Sequence, residues 1–276
     1  MISLIAVDMD GTLLDSEGLI PSHFQEIFNR VEENNILFVV ASGRQYNNLL
    51  ERFHDMRDKI VFIAENGAIV VYHGKTLYSN PIPMSDVFAL CDHGRMLPNT
   101  AMVVCGRKSA YIEKSDDSER TLFLEEIAKY YTKQEYVNSF ADIDDVILKV
   151  TICSFDGAEA IVLPAFQSFA DRFSIVVSGE FWMDIAQPNS NKGVALAHVQ
   201  DYFGISRDHT MAFGDFMNDV EMLQNAAYSY AMANSHPDLF QHANFQAAAN
   251  YDDGVLSQIV HMLDNPDEYE EKPVES

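Results

Sequence analysis

Asp8-Met9-Asp10-Gly11-Thr12 stands directly behind the apolar run 2–7, ISLIAV, and the reading of this stretch decides the fold. A short apolar run closed by a polar turn reads as a buried β-strand. Two acids spaced two apart at its end project from the same side of the chain, so both carboxylates lean towards one point, and Gly11 lets the backbone turn sharply after them. A lone Asp-Gly pair is an ordinary turn, whereas the full five-residue string behind a buried strand is a far more specific signal. In an open parallel sheet these acids would lie where ligands bind, beyond the carboxyl ends of the strands.

The flanking sequence supplies such a sheet. A helix is expected over 22–34, with Phe24, Ile27, Phe28 and Val31 on one face and Ser22 and Gln25 as a capping box. A strand at 36–41, a short helix at 46–53 and a strand at 60–64 follow. This alternation implies an α/β fold, a Rossmann-like parallel sheet with helices on both faces. Past Asn66-Gly67, the segments 68–72 and 76–79 flank His73-Gly74-Lys75 and read as a hairpin. Pro81 and Pro83 then punctuate the chain, and the order becomes mixed. Strands are expected at 101–105, 110–113, 146–153, 173–177 and 181–186, and helices at 118–131 and 157–172, an inserted α+β domain. The core pattern returns with a helix at 192–203 ended by Gly204, a strand at 210–213, a helix at 219–225, a strand at 228–232 and a helix at 254–263. The expected division is a core of 1–82 and 189–276 and an inserted cap domain of 83–188.

Composition agrees with a folded, soluble enzyme: 276 residues, 47% hydrophobic and 22% charged. The formal net charge of -24 argues against nucleic-acid backbones and anionic membranes as partners. It would equally repel a phosphate ester, so an acidic protein that handles one needs cations at its site, and a bound divalent metal supplies them. Part of the excess lies in an acidic tail at 264–276. Cys91, Cys105 and Cys153 form neither a CxxC nor a zinc pattern, which fits the reducing cytoplasm. The N-terminus has no basic region ahead of its short apolar run, and no stretch nears the roughly 20 apolar residues of a membrane helix.

Three further segments bear on the first, two of them closing strands as it does. Ser42-Gly43-Arg44 follows the second strand, where a hydroxyl and a glycine amide suit phosphate oxygens. Lys192 opens a helix, an end whose dipole favours anions, so a cation there makes sense if it meets one. Gly214-Asp215-Phe216-Met217-Asn218-Asp219 closes another strand, and Asp215 offers a hard oxygen for Mg²⁺. Taken singly, each is an ordinary turn, lysine or helix-start acid. Their order along the chain joins them to the first string.

DMDGTLLDS, ASGR, NKGVAL and GDFMNDVEML, in that order, resemble the four motifs of the haloacid dehalogenase superfamily. The rest of the core resembles its Cof-type branch, class IIB, with ENGA at 65–68, AMAN at 231–234 and DDGV at 252–255 as further landmarks; the cap matches in position and general pattern. PNSNKG replaces the branch's more usual short approach to the lysine, and AMANS its more usual AMGNA. The resemblance implies a Mg²⁺-dependent phosphatase of small phosphate esters acting through an aspartyl-phosphate. It makes Asp8 the nucleophile and a metal ligand, Asp10 the general acid/base that also offers its backbone carbonyl to the metal, and Asp215 the remaining ligand. Met9 through its amide, Ser42, Gly43, Lys192 and Asn218 would hold the phosphate, with Asp219, Thr12 and Arg44 in support. To act at neutral pH, Asp10 is expected to be buried, with its pKa raised.

A phosphomutase-type isomerase and a non-catalytic phosphometabolite-binding regulator are the rival readings. The complete set of carboxylates weighs against the second. Sugar phosphates, flavin mononucleotide and pyridoxal phosphate are the substrates that the resemblance implies. Tyr111, Phe181 and Trp182 in the cap are aromatics at strand positions and read as core.

Overall fold

The computed structural model describes residues 1–114, 121–128 and 130–269. In chain order its strands are β1 (Leu4–Asp8), β2 (Leu37–Ala41), β3 (Ile60–Ala64), β4 (Ile69–Tyr72), β5 (Lys75–Ser79), β6 (Thr100–Gly106), β7 (Ala110–Glu113), β8 (Gln134–Val137), β9 (Ile147–Ser154), β10 (Ser174–Val177), β11 (Trp182–Ala186), β12 (Thr210–Gly214), β13 (Tyr228–Met232) and β14 (Phe245–Ala247). The helices are α1 (Phe24–Glu33), α2 (Tyr46–Arg52), α3 (Met84–Gly94), α4 (Thr121–Ala128), α5 (Leu163–Ala165), α6 (Lys192–Phe203), α7 (Val220–Gln224) and α8 (Gly254–Asp264). The chain divides into two compact units. The first holds Met1–Gly43, Arg52–Tyr78 and the chain from Asn191 on, and the second holds Arg44–Glu51 and Ser79–Ser190.

The first unit is built on an eight-stranded sheet in the order β14-β13-β12-β1-β2-β3-β4-β5. From β14 to β3 all neighbours are parallel, and β4 returns antiparallel to β3. Alternate residues serve opposite faces. Leu4, Ala6, Val39 and Ala41 pack with Ala195, Leu196 and Val199 of α6 and Met222 and Leu223 of α7. On the opposite face Phe38 meets Phe24 and Phe28 of α1, edge-on, with ring centroids 5.6 and 5.7 Å away. Helices therefore cover both faces, as the alternating pattern implied. The β4–β5 hairpin turns on His73 and Gly74, whose φ of 49° and 67° are the pair of positive values that a two-residue link of this hand requires.

The second unit has a six-stranded sheet in the order β10-β11-β9-β6-β7-β8. Its core gathers Val87, Leu90 and Cys91 of α3, Val150 and Ile152 of β9, and Phe166. Tyr111 and Trp182 are buried, in keeping with their reading as core. Cys91, Cys105 and Cys153 are buried free thiols.

Several local expectations fail for identifiable reasons. The capping box at Ser22 and Gln25 does not form: the residue before α1 is His23, whose ring bonds Asp253 at 2.7 Å, and Gln25 bonds Asn29 instead. The helix expected over 157–172 is broken into Ala158–Val162, Leu163–Ala165 and Gln167–Phe169, because Pro164 lacks the N–H that a continuous helix needs. The helix expected over 118–131 forms as α4; 118–120 and 129 lie outside the described residues, as does the tail from 270 on. Helix α3 and strands β8 and β14 were not anticipated. No helix among the described residues is long and apolar enough to cross a membrane.

Candidate active site

Because β1, β2, β3, β12 and β13 are parallel, their carboxyl ends meet at one edge of the sheet. Asp8 closes β1, Ser42-Gly43 follows β2, Glu65-Asn66 follows β3, Asp215 follows β12, and Asn234 comes shortly after β13. Topology alone thus brings segments more than 200 residues apart into one neighbourhood.

At the centre is a buried ion pair. Lys192, 1% exposed, donates from Nζ to Asp8 Oδ1 at 2.5 Å and to Asp219 Oδ1 at 2.6 Å. The lysine is the first residue of α6, and the Asn191 Oδ1 before it accepts from the Val194 N–H at 2.8 Å, fixing the helix start. Asp219 Oδ2 accepts from the backbone N–H groups of Asp215 (3.0 Å) and Phe216 (3.2 Å), so both its oxygens are held. Asp215 Oδ1 accepts from Thr12 Oγ1 at 3.1 Å. One oxygen each of Asp8, Asp215 and Asp219 lies within 4.8 Å of the others. Gly11 makes this approach possible: its φ is +82°, and a Cβ there would come within 2.2 Å of Asp215 Oδ2.

Asp10 departs from expectation. The strand ends at Asp8, and Asp10 lies in the turn Met9–Leu13 with φ -78° and ψ 117°, so the turn and not strand alternation places it. It is exposed where burial was expected, and its carboxylate is not one of the three that cluster. Met9 is buried in the same turn. Ser42 is buried, and its carbonyl accepts from the Asn66 N–H at 3.0 Å. The Asn66 side chain lies against Gly43 and accepts at Oδ1 from Asn218 Nδ2 at 3.1 Å. Arg44 opens the segment that belongs to the second unit, where it donates to Asn48 Oδ1 at 3.4 Å.

Other asparagines brace the turn after β1. Asn234 Nδ2 donates to Gly11 O at 2.8 Å, Asn234 Oδ1 accepts from Asn250 N at 3.0 Å, and Asn250 Nδ2 donates to Leu14 O at 2.8 Å. The landmarks ENGA and AMAN contain Asn66 and Asn234, but nothing in their spacing shows what those side chains hold.

Three carboxylates gather around one ammonium, which bonds two of them, Asp8 and Asp219; these two are buried and Asp215 half-buried, so negative charge is in excess. Burial pushes the Asp8 carboxyl well above the usual range, against the pull of Lys192 and with the help of Asp219 and Asp215. Burial and Asp219 raise Asp215 to about 6, although Thr12 and Lys192 pull it down. Burial favours the neutral form of Lys192, but Asp219 and Asp8 outweigh it and keep the ammonium charged. Crowded hard oxygens with surplus negative charge fit a divalent cation of the Mg²⁺ class.

Comparison with known proteins gives consistent relatives. The sequence profile of the haloacid dehalogenase-like hydrolases matches residues 5–259. The chain is 33% identical over 265 residues to the 5-amino-6-(5-phospho-D-ribitylamino)uracil phosphatase YbjI of Escherichia coli, covering 95% of this chain and 96% of that one. It is 26% identical over 263 residues to YitU of Bacillus subtilis, which bears the same phosphatase name, covering 91% and 94%. Among solved structures, SMU.1108c of Streptococcus mutans is similar with a TM-score of 0.82 and 32% identity, covering 96% of this chain and 100% of that one.

Proposed function

The chain belongs to the haloacid dehalogenase-like hydrolases and is a phosphatase, and from that premise we propose that it is a Mg²⁺-dependent cytoplasmic phosphomonoesterase that carries the phosphoryl group transiently on Asp8. The observation that carries this reading is the buried Lys192–Asp8 contact of 2.5 Å beside Asp215 and Asp219. A carboxylate so placed is a poor structural choice, and it is a good nucleophile where Lys192 and a cation at the site together offset the burial and the neighbouring acids that favour its neutral form.

Asp8 and Asp215 would hold Mg²⁺ through carboxylate oxygens and Asp10 through its backbone carbonyl. When bound, the ion offsets the repulsion between the Asp8 carboxylate and the phosphoryl oxygens. An Asp8 oxygen attacks phosphorus, the ester P–O bond breaks, and Asp10 gives its proton to the departing alkoxide. Asp10 then takes a proton from water, whose oxygen attacks the same phosphorus; the acyl-phosphate bond breaks, releasing inorganic phosphate and restoring Asp8. The Met9 amide, Ser42, Gly43, Lys192 and Asn218 hold the phosphoryl oxygens through the transfer, with Thr12 and Asp219 keeping Asp215 and Lys192 in place and Arg44 in support. Residues 83–188 act as the cap that reads the leaving group.

The ester named for the Escherichia coli relative is a sugar-alcohol phosphate, within the range that the motifs imply, and we take it as the substrate class. The test is kcat/KM with Mg²⁺ over 5-amino-6-(5-phospho-D-ribitylamino)uracil, flavin mononucleotide, pyridoxal phosphate, hexose phosphates and p-nitrophenyl phosphate. The first is expected to lead. A different leader would overturn the substrate, and release of phosphate from none of them would overturn the catalytic reading.

A further inference from the structure

Glu65, Asn66 and Gly67 are three consecutive residues with left-handed backbone, at φ 50°, 54° and 93°. For residues with a Cβ this region costs roughly 1–2 kcal/mol each, and such strain persists only where surrounding structure enforces it. What surrounds this turn is the rest of the proposed phosphate site. The Asn66 N–H donates to the Ser42 carbonyl at 3.0 Å. The Asn66 side chain fills the space beside Gly43, where a Cβ would meet its Oδ1 at 3.0 Å. Its Oδ1 accepts from Asn218 Nδ2 at 3.1 Å. Gly67 lies against the start of α6, where a Cβ would come within 2.1 Å of Asn191 O and 2.9 Å of Lys192 N. One three-residue turn therefore touches the segments carrying Ser42-Gly43, Lys192 and Asn218.

We propose that Asn66 is a positioning residue for phosphate binding, which fixes the Asn218 side-chain amide and the Gly43 backbone relative to each other through its own amide. The proposal rests on the reading of Asn218 and Gly43 as phosphate-holding groups. Asn218 is exposed, and a lone exposed amide samples several rotamers; the bond to Asn66 selects one of them before phosphate arrives. The left-handed backbone fits this role, because asparagine enters that region more readily than other residues with a side chain while still presenting a hydrogen-bonding group.

The test is a double-mutant cycle read on the affinity of the Mg²⁺-replete enzyme for inorganic phosphate, by calorimetry and as its inhibition constant. Asn66→Gly keeps the left-handed backbone and removes the amide. It is expected to weaken phosphate binding about tenfold, the size of one well-placed hydrogen bond, and to raise KM more than it lowers kcat. Asn218→Ala is expected to weaken binding by a similar factor in the wild type and in the Asn66→Asp background, which keeps an acceptor oxygen, but by no more than about twofold in the Asn66→Gly background. Additive losses in the Asn66→Gly background, or an Asn66→Gly enzyme that binds phosphate like wild type, would overturn the positioning role. If Asn218→Ala itself leaves phosphate affinity unchanged, the failure lies in the phosphate-site reading on which the inference rests, and the inference falls with it.

Discussion

Asp8 and Asp10 are near twins in sequence, but the fold separates their surroundings: Asp8 is buried and bound to Lys192, whereas Asp10 stands exposed in the following turn. Their variants should separate too. With an activated aryl phosphate, Asp10→Asn should still be attacked by Asp8 but fail to activate water, so quenched mass spectrometry should find one added phosphoryl group mapping to Asp8; Asp8→Asn should show none. A phosphoryl group on Asp10 would reverse the assignment. A second expectation concerns Asp215, whose carboxyl is raised from 3.8 to about 6. Between these values the folded state binds more protons than the unfolded chain, so stability falls as pH rises through the window, and the penalty is complete above about 6. A cation at the site removes that penalty. Adding Mg²⁺ to metal-stripped protein should therefore raise the melting temperature fully above about pH 6 and progressively less below it, and an equal shift at every pH would show that Asp215 takes no part. Asp8, Asp215, Asp219 and Lys192, which the structure brings together, stood out in the sequence because their motifs close strands or open a helix in a fixed order. Asn66, Asn234 and Asn250 were not, since short polar residues in loops carry no periodic signal, and their roles depend on which carbonyls the fold brings near. The burial expected for Asp10 was argued from the proton it must carry at neutral pH and not from a burial pattern, and it failed because the strand ends two residues earlier, at Asp8, and leaves Asp10 in the exposed turn.

Elements with strong apolar periodicity were read almost to their ends. α1, α6 and β1–β3 fall within a residue or two of expectation, and Gly204 does close α6 in a left-handed conformation at φ 68°. The second unit was harder. α3 begins directly after Pro83 in a stretch, MSDVFALCDHG, in which Val87, Leu90 and Cys91 are buried but Phe88 and Ala89 are exposed, so its weak amphipathicity did not announce a helix. β8, with its exposed Glu135 and Tyr136, lacks the buried alternation that marks a strand. Of all elements, α6 links stability most directly to chemistry, because Lys192 is its first residue and Asn191 its cap. Asn191→Ala removes the acceptor for the Val194 N–H and should cost about 1 kcal/mol, a few degrees in melting temperature. The same change loosens the position of the ammonium, so kcat/KM should fall by more than the stability loss explains. Full activity after the expected drop in melting temperature would mean that Asp8 and Asp219 alone hold Lys192.

At the scale of the molecule, each of the two units keeps a hydrophobic cluster of its own, with no buried residue in common. Replacing 83–188 with a short linker should therefore leave a first unit that still hydrolyses a small generic ester with Mg²⁺ while its preference among metabolites disappears, measured as kcat/KM across the substrate panel. An unchanged ranking would place selectivity in the first unit. The broad plan, a parallel sheet interrupted by an insertion, was legible because the core grammar stops at Pro81 and resumes near Lys192; the assignment of Arg44–Glu51 to the second unit was not, since it follows from spatial contacts. The strand order has a further consequence, for the chain's birth. β1 needs β2 on one side and β12 on the other, and the paired residues Leu4 of β1 and Thr210 of β12 emerge from the ribosome some two hundred residues apart. At about 5–20 residues per second, the β12-facing edge of β1 waits roughly 10–40 s for its neighbour. Throughout that interval the nascent N-terminal half presents an apolar strand edge with open hydrogen-bonding groups, so the enzyme's yield in the cell depends on what shields that edge while the remaining chain is made.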